Sequence, residues 1–405
     1  MKPARRMFFG RYDYASFLTF IAYAAGSVVV PVSLVAIARE LGFRLDSGGL
    51  AAGGALHLGR TLAMVASLLL CGFWAGRWGK RRTMGLAVLG MGLGMSLCAL
   101  APAYGFVFLA LALAGLSEGV IEGLSTPFVQ DLHSEEPGRY VNFTHAFWSI
   151  GVLSTVLLAG ALLSLGVSWR LITLGVSALA LLPALLLLGP ERPDHAYPEH
   201  PHLLDRATVW RQMVHILRLP RFWRFFAAMF VAGGGEFCLT FWCASYLQLH
   251  FAASAWVGGV GTACFAAGMV LGRTGGGYWL KQHHLKGLIV GSALAGTAIT
   301  LCLPLARSLT AFLLLLFLSG MLTAPFWPSV QSYAADRLPQ VDTTMLMILL
   351  ACAGVPGCGC FTWLMGVVGN HSGLGKAFYL VPACYLLLAL LIGGEGRKRA
   401  TDHPL

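Results

Sequence analysis

The stretch 104-YGFVFLALALAGLSEGVIEGLSTPFV-129 decides the fold class. As a helix it is long enough to cross a hydrocarbon core of about 30 Å. It holds no basic residue, and its only carboxylates are Glu118 and Glu122, one helical turn apart. Comparable apolar stretches lie near 14–36, 51–76, 82–101, 142–165, 168–189, 222–249, 253–280, 286–304, 308–333, 341–366 and 372–394. Twelve in series with short links leave no aqueous surface able to house them as core helices, so the chain is expected to span a bilayer. Composition agrees: 57% of the 405 residues are hydrophobic and only 11% charged. The mean hydropathy is +0.73. A soluble domain carries about twice that share of charge.

The basic residues orient the spans. Lys2, Arg5, Arg6 and Arg11 precede the first, and Arg77, Lys80, Arg81 and Arg82 fill the link after the second. Arg139, the run from Arg192 to Arg224, Lys281, Lys286, Arg337, Arg397, Lys398 and Arg399 fall on the same side, while alternate links hold little beyond Arg39, Arg44, Arg170 and Arg307. The positive-inside rule then makes both termini cytoplasmic, in a cell inner membrane or plasma membrane, with positions 80 and 205 inside and 371 outside. The net charge of +11 is absorbed by this topology, and no folded basic surface calls for nucleic acid. The first span is too long for a signal-peptide core and is expected to stay.

A Pro-, His- and Arg-rich connection at 191–221 separates an N-terminal bundle, 1–190, from a C-terminal bundle with its tail, 222–405. A short surface helix is expected near 206–217. His195, His200, His202 and His215 lack metal-ligand spacing, and no cofactor is implied. The ten cysteines all fall within apolar spans and read as packing residues. The halves echo each other: 125-STPFVQDL-132 near the end of the fourth span answers 323-TAPFWPSV-330 near the end of the tenth, and 72-GFWAGR-77 answers 277-GYWLKQ-282. A duplicated all-α bundle around a central cavity is the arrangement used for alternating access.

With these segments in hand the chain resembles the major facilitator superfamily along its whole length. The link 72-GFWAGRWGKRR-82 is similar to that superfamily's signature between its second and third helices, with Gly76 where an aspartate usually stands. The resemblance implies a gate role for Arg77 and Arg81; lipid head groups are the other partners such arginines would take. A narrower resemblance is to the fucose permease-like sugar:proton symporters, carried by 119-GVIEGLSTPFVQ-130 and 139-RYVNFTHAFWSIG-151. It implies proton coupling at Glu122 and polar contacts from Asn142 and His145. The stretch 233-GGGEFCLTFWCASYL-247 resembles a recurring pattern of that group and places Glu236 and Trp242 in the other half. The first span, 23-YAAGSVVVPVSL-34, lacks the aspartate found there in the fucose permease, so fucose itself is not implied.

The physical case for Glu122 needs no relative: a carboxylate at mid-bilayer is costly when charged and suited to binding a proton. Glu118 either shares that wall, where repulsion between the two carboxylates would favour a shared proton and make it a second proton-coupling residue, or holds a structural bond. Arg60, deep in the second span with His57 one turn away, either pairs with Glu118 or Glu122 or receives an anionic substrate. Arg273, near the inner end of the eighth span, is expected to snorkel outward and act at the gate. Glu236, behind three glycines, is placed to hydrogen-bond substrate hydroxyls or another helix, and sugar hydroxyls and faces would be met by Tyr23, Trp148, Trp242, Trp327, Asn142, His145 and Gln331. The leading expectation is a monomeric proton-coupled importer of a sugar or similar small polar solute. A proton-coupled exporter and an organic-anion transporter are the alternatives, and a membrane enzyme ranks last because no nucleophile–base pair or phosphate loop stands out.

Overall fold

The computed structural model describes residues 7–135, 137–191, 196–198, 206–279 and 284–396. Twelve helices in it are long and apolar enough to cross a membrane: α1 (Arg11–Glu40), α2 (Leu50–Trp78), α3 (Lys80–Leu100), α4 (Tyr104–Leu132), α5 (Phe143–Ser164), α6 (Trp169–Leu188), α7 (Pro220–His250), α8 (Ala255–Arg273), α9 (Leu285–Leu305), α10 (Leu309–Arg337), α11 (Met345–Ser372) and α12 (Leu374–Gly393). Where no water can satisfy backbone groups, helices satisfy them internally. Their outward faces carry leucines such as Leu69, Leu93, Leu109, Leu158, Leu185 and Leu390, all more than half exposed, as lipid-facing side chains must be. The surface helix expected in the linker is present at Arg206–Leu217.

The spans form two six-helix bundles. α1 and α7 are the most enclosed, with 83% and 78% of their apolar windows buried against 28% for α9, which places them at the centre. α2 packs on α11, and α5 on α8; each pairing is the image of the other under a shift of six spans. At the end away from the termini the halves meet backbone to backbone. The Leu50 amide donates to Asn370 Oδ1 at 2.9 Å, and the Trp256 amide to Ser164 Oγ at 2.7 Å. A Cβ on Gly366 would lie 2.4 Å from the Leu50 carbonyl oxygen, so only glycine allows this approach. Nearer the termini the α2–α11 contact is made by side chains: Leu68 against Ala351 and Cys352, with Val65, Trp327 and Ile348 around them.

Two local features differ from the expectations, and one expectation falls on residues that are not described. Position 371 lies in the last turn of α11, not in a link, because Gly373 reverses the chain alone at φ 86°. Pro127 sits within a continuous α4, whereas Pro325 separates the two segments of α10, Leu309–Thr323 and Phe326–Arg337. Position 205, with His195, His200 and His202, lies outside the described residues.

The acid missing at Gly76 is supplied from other elements. Arg81 reaches Glu191 at 3.2 Å and donates to the carbonyls of Leu187 and Gly189, capping the end of α6 within its own half. Capping explains its burial, since the last carbonyls of a helix need donors. Lys80 pairs with Asp131 at 2.6 Å. Arg77, by contrast, is exposed at the last turn of α2. The Tyr197 amide, then the Tyr12 hydroxyl, Arg81 and Arg11, hold the Glu191 carboxyl below the usual range. Its contribution to stability is therefore present at neutral pH and fades as pH falls through that lowered value. Glu395 repeats the device in the second half, accepting from Arg221 and from Arg224, the latter at 2.7 Å. The stretches 185-LLLLGPE-191 and 390-LLIGGE-395 are the echo that carries it.

The backbone contact at Gly366 generates a test. Gly366→Ala should hold the halves apart at that end. A cysteine at position 50, buried in the parent, should then react several-fold faster with an impermeant maleimide in a Cys302→Ser background. Unchanged labelling would contradict the close-contact account.

Candidate functional site

α1, α2 and α4 build the N-terminal wall. A Cβ on Gly115 would lie 2.2 Å from the Arg60 carbonyl oxygen, and one on Gly119 would lie 2.1 Å from that of Met64. α4 therefore lies against α2 closely enough for Arg60 to meet Glu118. Arg60 Nε donates to Glu118 Oε2 at 2.8 Å and Nη2 to Oε1, and both residues are buried. Of the two readings of Arg60, the structure has the pair.

Glu122, one turn further along α4, is half-buried and outside that pair. The Tyr23 phenol of α1 stands beside its carboxylate. No arginine or lysine pairs with Glu122 among the described residues. His145 of α5 faces Thr126, Nε2 to Oγ1 3.2 Å, and packs on Phe20 at 4.6 Å between ring centroids. Asn142 lies in the helical lead-in to α5, the whole helix running Pro137–Ser164, but its side chain is outside those described.

α7, α8 and α10 build the other wall. Glu236 is buried, and Arg273 Nη2 lies 3.7 Å from its Oε1. The expectation of a gate position for Arg273 is corrected here: its head group points to the centre of the protein. Side chains lean toward the N-terminus of their own helix, which for α8 is the far end of the bundle. Glu236 waits there, together with the Ala324 carbonyl, which accepts from Arg273 Nε at 3.5 Å. That carbonyl has no helical donor because Pro328 occupies the position four residues on.

Between α5 of one half and α7 and α8 of the other runs a recess of about 330 Å3, the space at its mouth included, lined by Trp148, Ser149 and Val152 from one half and Thr240, Thr262, Phe265, Ala266, Met269 and Arg273 from the other. In this conformation it is a slot that admits a water and little more. Cys358 of α11 sits within electrostatic reach of both Glu122 and Glu236, so the two carboxylates approach the same central region from opposite halves.

The expected aromatic residues divide. Trp148 lines the recess. Tyr23 is buried beside Glu122, and Trp327 is half-buried with its ring against Gly354. Gln331 is half-buried on the second segment of α10. Trp242 does not offer a face to the recess: it is fully buried, and its indole N–H donates to the Thr362 carbonyl at 2.9 Å, making it a packing residue between α7 and α11. Ser149, Thr240 and Thr262 do not stand out in the sequence, because hydroxyl residues in apolar helices usually bond their own backbone, as Thr240 does to Glu236 O at 3.0 Å. Their spacing from Trp148 and Glu236 is the available signal.

The Major Facilitator Superfamily profile matches residues 15–339. The chain belongs to the major facilitator superfamily. Superfamily members are transporters, and this one is a multi-pass membrane protein with that fold. No curated protein matches the chain. Among solved structures it is similar to a D-xylose-proton symporter, with a TM-score of 0.74, 15% identity, and 95% of this chain and 97% of that one covered. It is similar to the nucleoside transporter NupG, with a TM-score of 0.73, 14% identity and coverage of 95% and 97%. A point mutant of the E. coli fucose:proton symporter FucP gives 0.65, 16% identity and coverage of 95% and 98%. At these identities the likeness establishes the shared superfamily fold.

The two glutamates of α4 should behave differently when neutralised. Glu118→Gln leaves Arg60 buried without its counter-charge and should cost about 3–5 kcal/mol. Glu122→Gln breaks no ion pair and should shift stability by less than about 1 kcal/mol. Thermal melting in detergent distinguishes them; equal losses would contradict the pairing.

Proposed function

We propose that this transporter is a proton-coupled symporter of a neutral sugar or similar small polar solute, working by alternating access with Glu122 as the proton carrier. One observation carries the reading: the interior arginines are each matched to a carboxylate, Arg60 to Glu118 and Arg273 to Glu236, while Glu122 has no cation among the described residues. Counting these five groups, the interior is neutral when Glu122 is protonated and carries one negative charge when it is not. A dry, occluded site favours the neutral state, so closure around a neutral solute is easiest with the proton bound. The sugar:proton and nucleoside transporters of the same fold support the solute class.

An organic-anion carrier is disfavoured because Arg60, its best ligand, is committed to Glu118. Ser149 and Arg273 supply donors for hydroxyl groups, Thr240 and Thr262, whose own O–H groups go to the Glu236 and Gly258 carbonyls, supply acceptors, and Trp148 supplies a flat apolar face. His145, Asn142, Tyr23, Trp327 and Gln331 complete the surroundings in this reading, with Glu236 orienting Arg273. We further propose a monomer, divided at 191–221, with both termini in the cytoplasm and lipid around the leucine-rich outer face. Arg77, exposed at the inner surface, is the residue of the signature link best placed to meet lipid head groups.

The test is purified protein in liposomes with imposed pH gradients, a sugar panel and a panel of organic anions. The parent should accumulate a sugar, faster as the source side is acidified. Glu122→Gln should lose accumulation at least ten-fold while retaining sugar exchange, since the amide keeps the shape and cannot change charge. Unchanged gradient-driven uptake by the variant would remove Glu122 as carrier; anion uptake without sugar uptake would overturn the solute class.

A further inference from the structure

His57 lies in the closed layer between the central carboxylates and the far end of the bundle. It is 7% exposed, and its Nε2 is buried without a hydrogen-bond partner. Its ring stacks on Phe237 of α7 at 5.1 Å and 11°, and Phe241 stands 5.4 Å away, so the imidazole of one half is clamped against the aromatic surface of the other. Around it Ser27, Val30, Pro31, Leu56, Arg60, Leu111 and Phe241 leave an interstitial space too thin for a water. Pro31 also leaves the Ser27 carbonyl without its helical donor. Polar groups thus line a space in which nothing fits.

An unmet buried hydrogen bond is a standing cost, which a state that gives the group a partner would relieve. The ring is trapped by contact between the halves. Parting α2 from α7 at the far end would release the face held by Phe237 and let an O–H group reach Nε2.

We propose that His57 is the hydrogen-bonding residue of a subsite that exists only when the far end is open, where it takes the hydroxyl of a water or of the solute. In the closed state its unmet bond acts against closure, so His57 both meets an incoming hydroxyl and biases the carrier toward opening on that side. The inference rests on the alternating access proposed above. Its test needs no substrate, so failure of the sugar or proton assignment is read separately.

The measurement is hydrogen–deuterium exchange of the intact transporter in nanodiscs, following the far-end segments 44–54 and 362–372. His57→Leu, of similar volume, removes the polar atom; His57→Phe keeps the stacking and guards against a packing artefact; His57→Gln restores a polar group. The apolar variants should close more firmly and exchange on the order of ten-fold more slowly in those segments. The glutamine variant should stay near the parent, with exchange in α3 and α6 unchanged as the control for folding. Parent-like exchange in both apolar variants, or a glutamine variant as slow as leucine, would overturn the proposal. Uptake by the sugar that the panel identifies then separates the two hydroxyl sources. A higher KM in His57→Leu only from the far side assigns the solute, and an unchanged KM assigns water.

Discussion

The rest of the structure depends on the pairing of Arg60 with Glu118. A guanidinium this deep in an apolar helix is tolerable only with a counter-charge in bidentate geometry, and removing either partner strands the other. The pair therefore fixes how α2 meets α4. It requires the backbone approach that Gly115 and Gly119 permit, and it leaves Glu122, on the next turn beside the Tyr23 phenol, outside the ion pair. A carboxylate without a cation in a dry protein can change charge without dismantling the fold, which is what a proton carrier needs.

The same logic recurs across the duplicated architecture. Arg273 and Glu236 form the looser pair of the second half, and Glu191 and Glu395 tie the terminal ends of the two bundles with arginines. The contrast between the two ends of the molecule is equally physical. Backbone contact at Gly366 joins the halves at the far end, whereas nearer the termini α2 and α11 meet through the side chains of Leu68, Ala351 and Cys352. Side-chain contacts slide and repack more readily than backbone contacts, so the halves have an easier path to parting near the termini.

Much of this is legible in the sequence. Twelve apolar stretches mark the spans because a bilayer permits little besides helices, and Glu118, Glu122 and Arg60 stand out because charge at that depth demands a reason. Which acid Arg60 takes is not legible, since both glutamates lie within reach along one face of α4, and glycine contacts between helices decide it. Reasoning from the distance of Arg273 to the helix end misplaces it, because that ignores the direction in which helical side chains lean. Trp242 looks like a sugar platform because sequence spacing cannot show that its indole is spent on the Thr362 carbonyl. Positions 367–371 fall between the last two apolar stretches and read as a link, yet Asn370 is used to join the halves.

The central claim is that one interior carboxylate, Glu122, exchanges its proton while the others stay committed. Infrared difference spectroscopy of the reconstituted protein across a pH titration tests it most directly, because a protonated carboxyl has its own C=O band. The account predicts a band that vanishes as pH rises, present in the parent and in Glu236→Gln and absent in Glu122→Gln. A titrating band that survives in Glu122→Gln would contradict it.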